Sequence, residues 1–312
     1  MVNITNKTEE INEYYQRIEE GSKHREHKEN RTENFAIIHP SFILSPLFTT
    51  LRVKTNTEVE YIFNDIRFKF SNRLNTHCQT IFLYLQSKAL KKRESFHHLD
   101  NDIIHYLFRD FITIYRDELS KYKKMELEDI LIVKTSINEL LRVVRKRANH
   151  SKYLESLLVS LCGTSVEENN FKKNIKQEDV VEGKYRLMNA LKIGKSTLYI
   201  ALNPRMSRVN TVVNGKRQQY VKIDLDEREK LESDIAKLLH TKFSGLTKEN
   251  SYFKISINNL MKNIYLLSEN DNYKQLVHYY KRKILFAINE INQKLKNWNI
   301  EYDNNIITIY RI

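Results

Sequence analysis

The pattern K-x-S-I-N-x-L occurs twice, in "KTSINELLRVV" from position 134 and in "KISINNLMKNI" from position 254, an offset of 120 residues. Self-similarity at long spacing points to a chain built from two comparable units. A heptapeptide can recur by chance in a chain rich in Asn and Ile, so the residues downstream of each copy must agree as well. Ser136 and Ser256 stand where helix N-caps stand, and Glu139, three residues after Ser136, would complete a capping box. After the first copy come a basic connection, "RKRANHSKY", and an apolar helix, "LESLLVSL". After the second come "SENDNYKQLVHYYKRK" and "ILFAINEINQKL". Helix, connection and second helix with a polar or basic entry is the helix-turn-helix pattern.

Strands come next both times. "KYRLMNALKIGKSTLYIAL" reads as strand, turn at Gly194, strand, and "WNIEYDNNIITIYRI" as strand, turn at Asp303-Asn304-Asn305, strand. A helix-turn-helix closed by a β-hairpin is a winged helix. The expected fold is therefore α+β, mainly α, with two tandem winged-helix domains carrying short β-hairpin wings, the first over 34–205 and the second over 206–312. Residues 1–33, almost all polar or charged, read as a mobile N-terminal arm. Between arm and repeat, "FAIIHPSFILSPLFTTLRV" is interrupted by Pro40 and Pro46 and is expected to be extended. "EYIFNDIRFKF" reads as a strand pair, and "LNTHCQTIFLYLQSKALKK" as an amphipathic helix through Ile81, Leu83, Leu85 and Leu90. "DNDIIHYLFRDFITIYRDEL" reads as a further helix.

Charge narrows the partner. The 312 residues hold 52 Lys plus Arg against 39 Asp plus Glu, a formal net charge of +13 that favours a polyanion, nucleic acid ahead of a membrane surface. No apolar run approaches the ~18 residues of a membrane span, and Met1 opens into the polar "MVNITNKTEEINEYY" rather than a signal peptide. A cytoplasmic protein with no membrane partner is expected. Cys78 and Cys162 suggest neither a disulfide framework nor a zinc site and read as free thiols.

The stretch "NYKQLVHYYKRKILFAINEINQKLKNW" (272–298) then becomes legible. Its head holds Lys274, Tyr279, Tyr280, Lys281, Arg282 and Lys283, placed where a recognition helix meets DNA; Leu285, Ile288, Ile291 and Leu295 hold its tail to the domain. Arg282 can pair bidentately with guanine, the lysines suit phosphates, and a tyrosine ring suits a thymine methyl or a phosphate. The plainer reading is a solvated basic face with the tyrosines partly in the core. In the first unit the corresponding entry is Asn149, His150, Lys152 and Tyr153, preceded by Arg142, Arg145, Lys146 and Arg147. There Asn149 would cap the helix, Lys152 would reach a phosphate, and His150 would touch a base edge or nothing. Lys192 and Lys195 flank the wing tip "KIGKS" and can reach an adjacent phosphate, or simply line a solvated turn. The second unit, denser in contact groups, is expected to supply most of the sequence discrimination.

Catalytic readings fare worse. "IGKST" lacks the glycine that a phosphate-binding loop needs at 189, which is Asn189. A strand-nicking enzyme would need a metal-binding histidine pair beside a nucleophilic tyrosine, and neither His97-His98 nor "HREH" at 24–27 supplies it. Asp224 and Asp226 open a helix, where they complement its N-terminal dipole. No catalytic residue, metal or cofactor is assigned, and the chain is expected not to be an enzyme.

"STLYIALNPRMSRV", "VKIDLDEREKLESDIAKLLHTKFSG", "ISINNL", the basic helix and the final "NWNIEYDNNIITIYRI" occur in this order. In that combination, over roughly residues 57 to 312, the chain resembles the replication initiators of IncQ-type plasmids. The resemblance implies binding to directly repeated sites, or iterons, in double-stranded origin DNA, local duplex opening, and loading of a replicative helicase. A homodimer and a monomer are both compatible with it as the active form. The N-terminal arm and the insert at 97–119 match no pattern of that family. The alternative reading is a two-module winged-helix transcriptional repressor without origin-opening activity.

Overall fold

The computed structural model describes residues 34–50, 57–63, 66–91, 107, 131–170, 180–203, 212–213, 216–217, 220–265 and 273–312. The polar arm and, apart from the buried Leu107, the expected helix "DNDIIHYLFRDFITIYRDEL" lie outside the described residues. Among the described residues the chain is α+β, with eight helices and several small sheets.

Strand β1 (Phe35–Ile38) leads through His39 into helix α1 (Pro40–Leu44), whose first turn is capped by the His39 ring accepting the Ser41 N–H. The segment expected to be extended thus contains a helical turn. Proline at the first helical position presets φ and removes only an N–H that would be unpaired there anyway. Next come β2 (Phe48–Thr49), β3 (Val59–Phe63) and β4 (Ile66–Phe70), the last two paired antiparallel as "EYIFNDIRFKF" suggests. β5 (Leu74–Asn75) pairs parallel with β2 and delivers Asn75, whose Oδ1 accepts the Cys78 N–H at 2.9 Å and caps α2 (Thr76–Lys91).

The first copy of the repeat forms β6 (Leu131–Ser136), α3 (Ile137–Val143), a 3₁₀ turn over Ala148–His150 and α4 (Ser151–Gly163). The chain then detours through β7 (Ser165–Asn170) and β8 (Val180–Arg186), which extend β3 and β4 into a four-stranded sheet. It returns as β9 (Met188–Ile193) and β10 (Thr197–Leu202). The expected strand from "KYRLMN" is therefore two strands. β11 (Val212–Val213), β12 (Lys216–Arg217) and β13 (Val221–Asp224) precede α5 (Leu225–Lys230) and α6 (Asp234–Leu246). The second copy forms β14 (Ser251–Ser256), α7 (Ile257–Tyr265), α8 (Tyr273–Lys294), β15 (Trp298–Asp303) and β16 (Ile306–Arg311).

The two copies agree bond by bond. Each has a three-stranded antiparallel sheet with its last strand in the middle, ordered β6-β10-β9 and β14-β16-β15. Ser136 Oγ accepts the Glu139 N–H and Ser256 Oγ accepts the Asn259 N–H, both at 3.2 Å. The next residue ties the helix to the hairpin turn: Ile137 N–H donates to Ser196 O and Ile257 N–H to Asn305 O, each at 2.9 Å. The expected capping box is only half built, because the Glu139 carboxylate accepts from Thr135, Tyr84 and Lys88 and so bridges α3 to α2. At the second turn Asn304 and Asn305 have φ of 47° and 66°, the pair of left-handed residues that a tight hairpin demands. Gly194, at φ 64°, serves the first.

The halves interlock. β1 pairs antiparallel with β13, Phe35 opposite Asp224 and Ile38 opposite Val221, so the start of the first stretch closes onto a strand beyond residue 205. The Ile264 carbonyl at the end of α7 accepts from Thr49 Oγ1 and Arg73, and Asn263 Nδ2 donates to Leu44 O at 2.8 Å. Lys242 on α6, fully enclosed, donates to Ser45 O at 2.8 Å at the end of α1. α2 lies between the halves, packing on β1, β6, α3, α4 and α6. That position corrects its reading as amphipathic, since Gln79, Gln86 and Ser87 are buried along with Ile81, Leu83 and Leu85. Arg228 of α5 explains part of the polar burial: its guanidinium donates to Gln79 Oε1 at 3.0 Å, Thr80 Oγ1 at 2.9 Å and Thr241 Oγ1 at 3.2 Å. Gly245 permits the close approach of α6 to α1, where a Cβ would meet Leu44 at 2.9 Å.

Candidate nucleic-acid interface

α8 has one buried stripe and one outward line. Ile284, Ala287, Ile288, Ile291 and Leu295 are buried, and Val277, Tyr280 and Leu285 pack partly against the same core. Successive residues advance about 100° around a helix, so Tyr279, Arg282, Phe286, Asn289 and Gln293 fall on the opposite side. Tyr279, Arg282, Phe286, Asn289 and Gln293 are all exposed.

The structure separates the residues of the basic head. Tyr279 faces outward, whereas Tyr280 is half-buried and stacks on Tyr265 with ring centroids 3.8 Å apart. Lys281 leans toward the hairpin, its Nζ donating to Asn305 Oδ1 at 2.8 Å and lying 5.2 Å from the Tyr302 ring centroid. Lys283 Nζ sits 4.5 Å from the Tyr279 ring centroid. Arg282 is exposed. Lys274 lies in the first turn of α8. The head therefore presents Tyr279 and Arg282 outward with Lys283 half-buried on the flank beside the Tyr279 ring, while Tyr280 joins the fold and Lys281 joins helix to turn.

The first unit is built alike but more sparsely. Its buried positions Leu154, Leu157, Leu158 and Leu161 repeat the spacing of Ile284, Ala287, Ile288 and Ile291, which aligns Lys152 with Arg282 and Asn149 with Tyr279. Asn149 and His150 are exposed in the 3₁₀ turn and Lys152 is exposed on α4. The N-cap of α4 is His150, without a side-chain cap bond, and not Asn149 as expected. Tyr153 turns inward, its hydroxyl 2.7 Å from His77 Nδ1 and its ring edge-on to that imidazole. At the β9–β10 turn Lys192 and Lys195 are exposed, and Lys192 Nζ reaches Glu155 at 3.4 Å.

Positive charge also gathers where the halves meet. Lys146 Nζ lies 6.0 Å from the Tyr153 ring centroid, and Arg145, held at φ 55°, donates to the Glu229 carbonyl. Burial, then Arg145 and Arg228, push the Lys237 ammonium down to about 8. Burial, then Lys146, Lys237 and Arg228, push the His77 imidazole down to about 4, so it is neutral at pH 7. Within the second half Glu227 of α5 accepts from Trp298 Nε1 at 2.8 Å and from His240 Nε2 at 3.0 Å. Burial alone would raise that carboxyl, but hydrogen bonds from His240 and Trp298 hold it down to about 2. Both cysteines are free, and burial raises each thiol to about 12.

Two outward side chains escaped the sequence reading. Phe286 lies inside an apolar run and Val159 inside "LESLLVSL", yet they are 69% and 71% exposed. A helical projection through the buried stripes is the signal that would have found them.

Among the described residues no helix is long and apolar enough to cross a membrane, and no group of three or more His, Cys, Asp or Glu could hold a metal ion. Two solved structures are similar in outline. One contains selenomethionine derivatives of domain 2 and domain 3 of RctB, is 7% identical, and covers 87% of this chain and 98% of its own at a TM-score of 0.44. The other contains RctB domains 2–3, is 10% identical, and covers 88% and 97% at a TM-score of 0.41. No curated protein matches the chain. The family model for replication protein C matches residues 117–311, a span that takes in both copies of the repeat, both candidate helices and both hairpins. The chain belongs to the replication protein C (RepC) family of replication initiators.

Proposed function

We propose that the chain is a plasmid replication initiator that binds direct repeats in a double-stranded origin through two winged-helix modules and promotes local opening of the duplex for helicase loading. α4 and α8 are the recognition helices, and the β9–β10 and β15–β16 hairpins are the wings. The modules divide at 205/206, with β1 of the first reaching across to β13. The observation that carries this reading is the doubled strand–helix–helix–hairpin arrangement, with identical sheet order and an outward cation, Lys152 or Arg282, near the start of the second helix of each copy. The net charge of +13 supports a polyanionic partner.

In the proposed complex Arg282 reads a guanine, Lys283, Lys274, Lys152, Lys192 and Lys195 meet phosphates, and Tyr279, Asn149 and His150 border the groove. Tyr280, Tyr153 and Lys281 act from behind, holding the helices against the core and the wing. The protein works in the cytoplasm without cofactor or chemistry of its own, with the replicative helicase as its further partner. The test is footprinting of the full chain on direct repeats beside an AT-rich segment, with permanganate probing of unpaired thymines. Protection of the repeats with permanganate reactivity in the AT-rich segment is expected. Protection without reactivity would favour a transcriptional repressor, and no protection would overturn both readings.

A further inference from the structure

Among the described residues the three most exposed large apolar side chains are Val159 (71%), Ile312 (71%) and Phe286 (69%). Ile312 is the last residue of the sequence. The other two lie on the outward lines of α4 and α8, the equivalent second helices of the two units. Each sits just beyond a cation on that line. Phe286 comes one turn after Arg282, and Val159 comes two turns after Lys152.

We infer that Phe286 and Val159 are apolar base readers, each packing against the C5-methyl of a thymine in the major groove of duplex DNA. This rests on the proposed reading of α4 and α8 as the helices that enter DNA. Thymine is the base that places a methyl group in the major groove, and apolar side chains on a groove-lying helix discriminate by covering it. The surroundings favour a small apolar target over a protein surface. Each side chain stands among polar neighbours, Arg282, Asn289 and Gln293 around Phe286 and Lys152, Glu155, Ser156 and Ser160 around Val159. A protein interface wants a contiguous apolar centre within about 800 Å² per partner. One carboxylate lies a turn from each side chain and both are engaged: Glu290 accepts the Ser233 N–H, and the exposed Glu155 pairs with Lys192 at 3.4 Å.

The test uses the full chain and a pool of duplexes with a randomised centre of about three helical turns. Wild type, Phe286→Ala and Val159→Ala are each used to enrich sites, and thymines in the wild-type motif are replaced one at a time by deoxyuridine, which removes only the methyl. For wild type, two thymines should each lose about fourfold in affinity, the worth of one buried methyl. Phe286→Ala should abolish the response at one of them and Val159→Ala at the other. Both variants should melt with wild type, because both side chains are exposed. A motif indifferent to every replacement, or variants as methyl-sensitive as wild type, overturns this proposal and leaves the DNA reading standing. A wild-type chain that enriches no sequence overturns both. Loss of a dimer by Phe286→Ala in sedimentation equilibrium, with the methyl response intact, would place a second copy against the ring and overturn the proposal.

Discussion

The Tyr280 ring stacks on Tyr265, 3.8 Å between centroids and 21° from parallel, so of the adjacent tyrosines at the head of α8 one packs inward and the other, Tyr279, faces outward. Tyr280→Ala should cost about 1–3 kcal/mol of stability through lost packing, with DNA binding falling only as the folded population falls. Tyr279→Ala should leave the thermal midpoint where it is and weaken binding directly. Thermal melts beside anisotropy titrations separate the two, and equal loss of midpoint in both variants would refute the division.

The same helix allows a three-way comparison. Arg282→Ala should lose roughly 1–3 kcal/mol of discrimination at one base position. Lys283→Ala should weaken binding to all sequences alike and flatten the salt dependence by about one unit. Ile288→Ala, at a buried position, should cost roughly 2–5 kcal/mol of stability and leave the specificity ratio untouched. An unchanged ratio in Arg282→Ala would remove Arg282 from the reading role.

Salt provides a global check. With about six to eight phosphate contacts, the slope of log affinity against log salt should be roughly −5 to −7. A slope near zero in an anisotropy series would contradict the electrostatic account of the +13 charge.

Acid should loosen the core of the second half, where Glu227, His240 and Trp298 meet. Burial, only partly offset by Glu227, lowers the His240 imidazole below its ordinary 6.5. The unfolded chain therefore binds a proton there that the folded chain refuses, and stability falls as pH drops below about 6.5. Glu227 adds a second loss. Its folded value of about 2 lies below the ordinary 4.5, so its contribution is full above about 4.5 and disappears as pH falls through about 2. Denaturant midpoints measured from pH 8 to pH 3 should decline in that order. Glu227→Gln should remove the segment below 4.5, and an unchanged acid limb would count against the assignment.

The hairpin turn offers a last test. Asn305 has φ 66°, and its Oδ1 accepts from Lys281 Nζ and from the Tyr302 hydroxyl at 3.0 Å. Asn305→Ala should cost about 1–2 kcal/mol through the left-handed backbone, and Asn305→Gly should spare the backbone while still losing both bonds. If the two variants melt together, the strain argument fails.

Local chemistry was legible in the sequence. The serine caps, the Asp303-Asn304-Asn305 turn and Gly194 each act within a few residues, so the residue type announces the geometry. The pairing of β1 with β13 was not legible, nor was the burial of Gln79 and Gln86, because both depend on segments far away in the chain. The outward-facing residues of the candidate site were readable in outline on α8, where cations and aromatics are dense. Tyr280 and Tyr153 turn inward against expectation, because a tyrosine's place in the chain says nothing of whether Tyr265 or His77 waits behind it. Phe286 disappeared into an apolar run whose other members do face inward.

Arg228 grips Gln79 and Thr80 from across the seam, and β13 grips β1. On the proposed reading this makes the molecule a calliper with a locked hinge. Its two tips meet the double helix at one separation and one angular phase. Inserting about five base pairs between the contacted segments would turn one of them to the far side of the duplex. Inserting a full turn of about 10.5 would restore the face but carry it about 34–36 Å out of reach. An origin recognised by this protein would therefore conserve distance as strictly as it conserves letters.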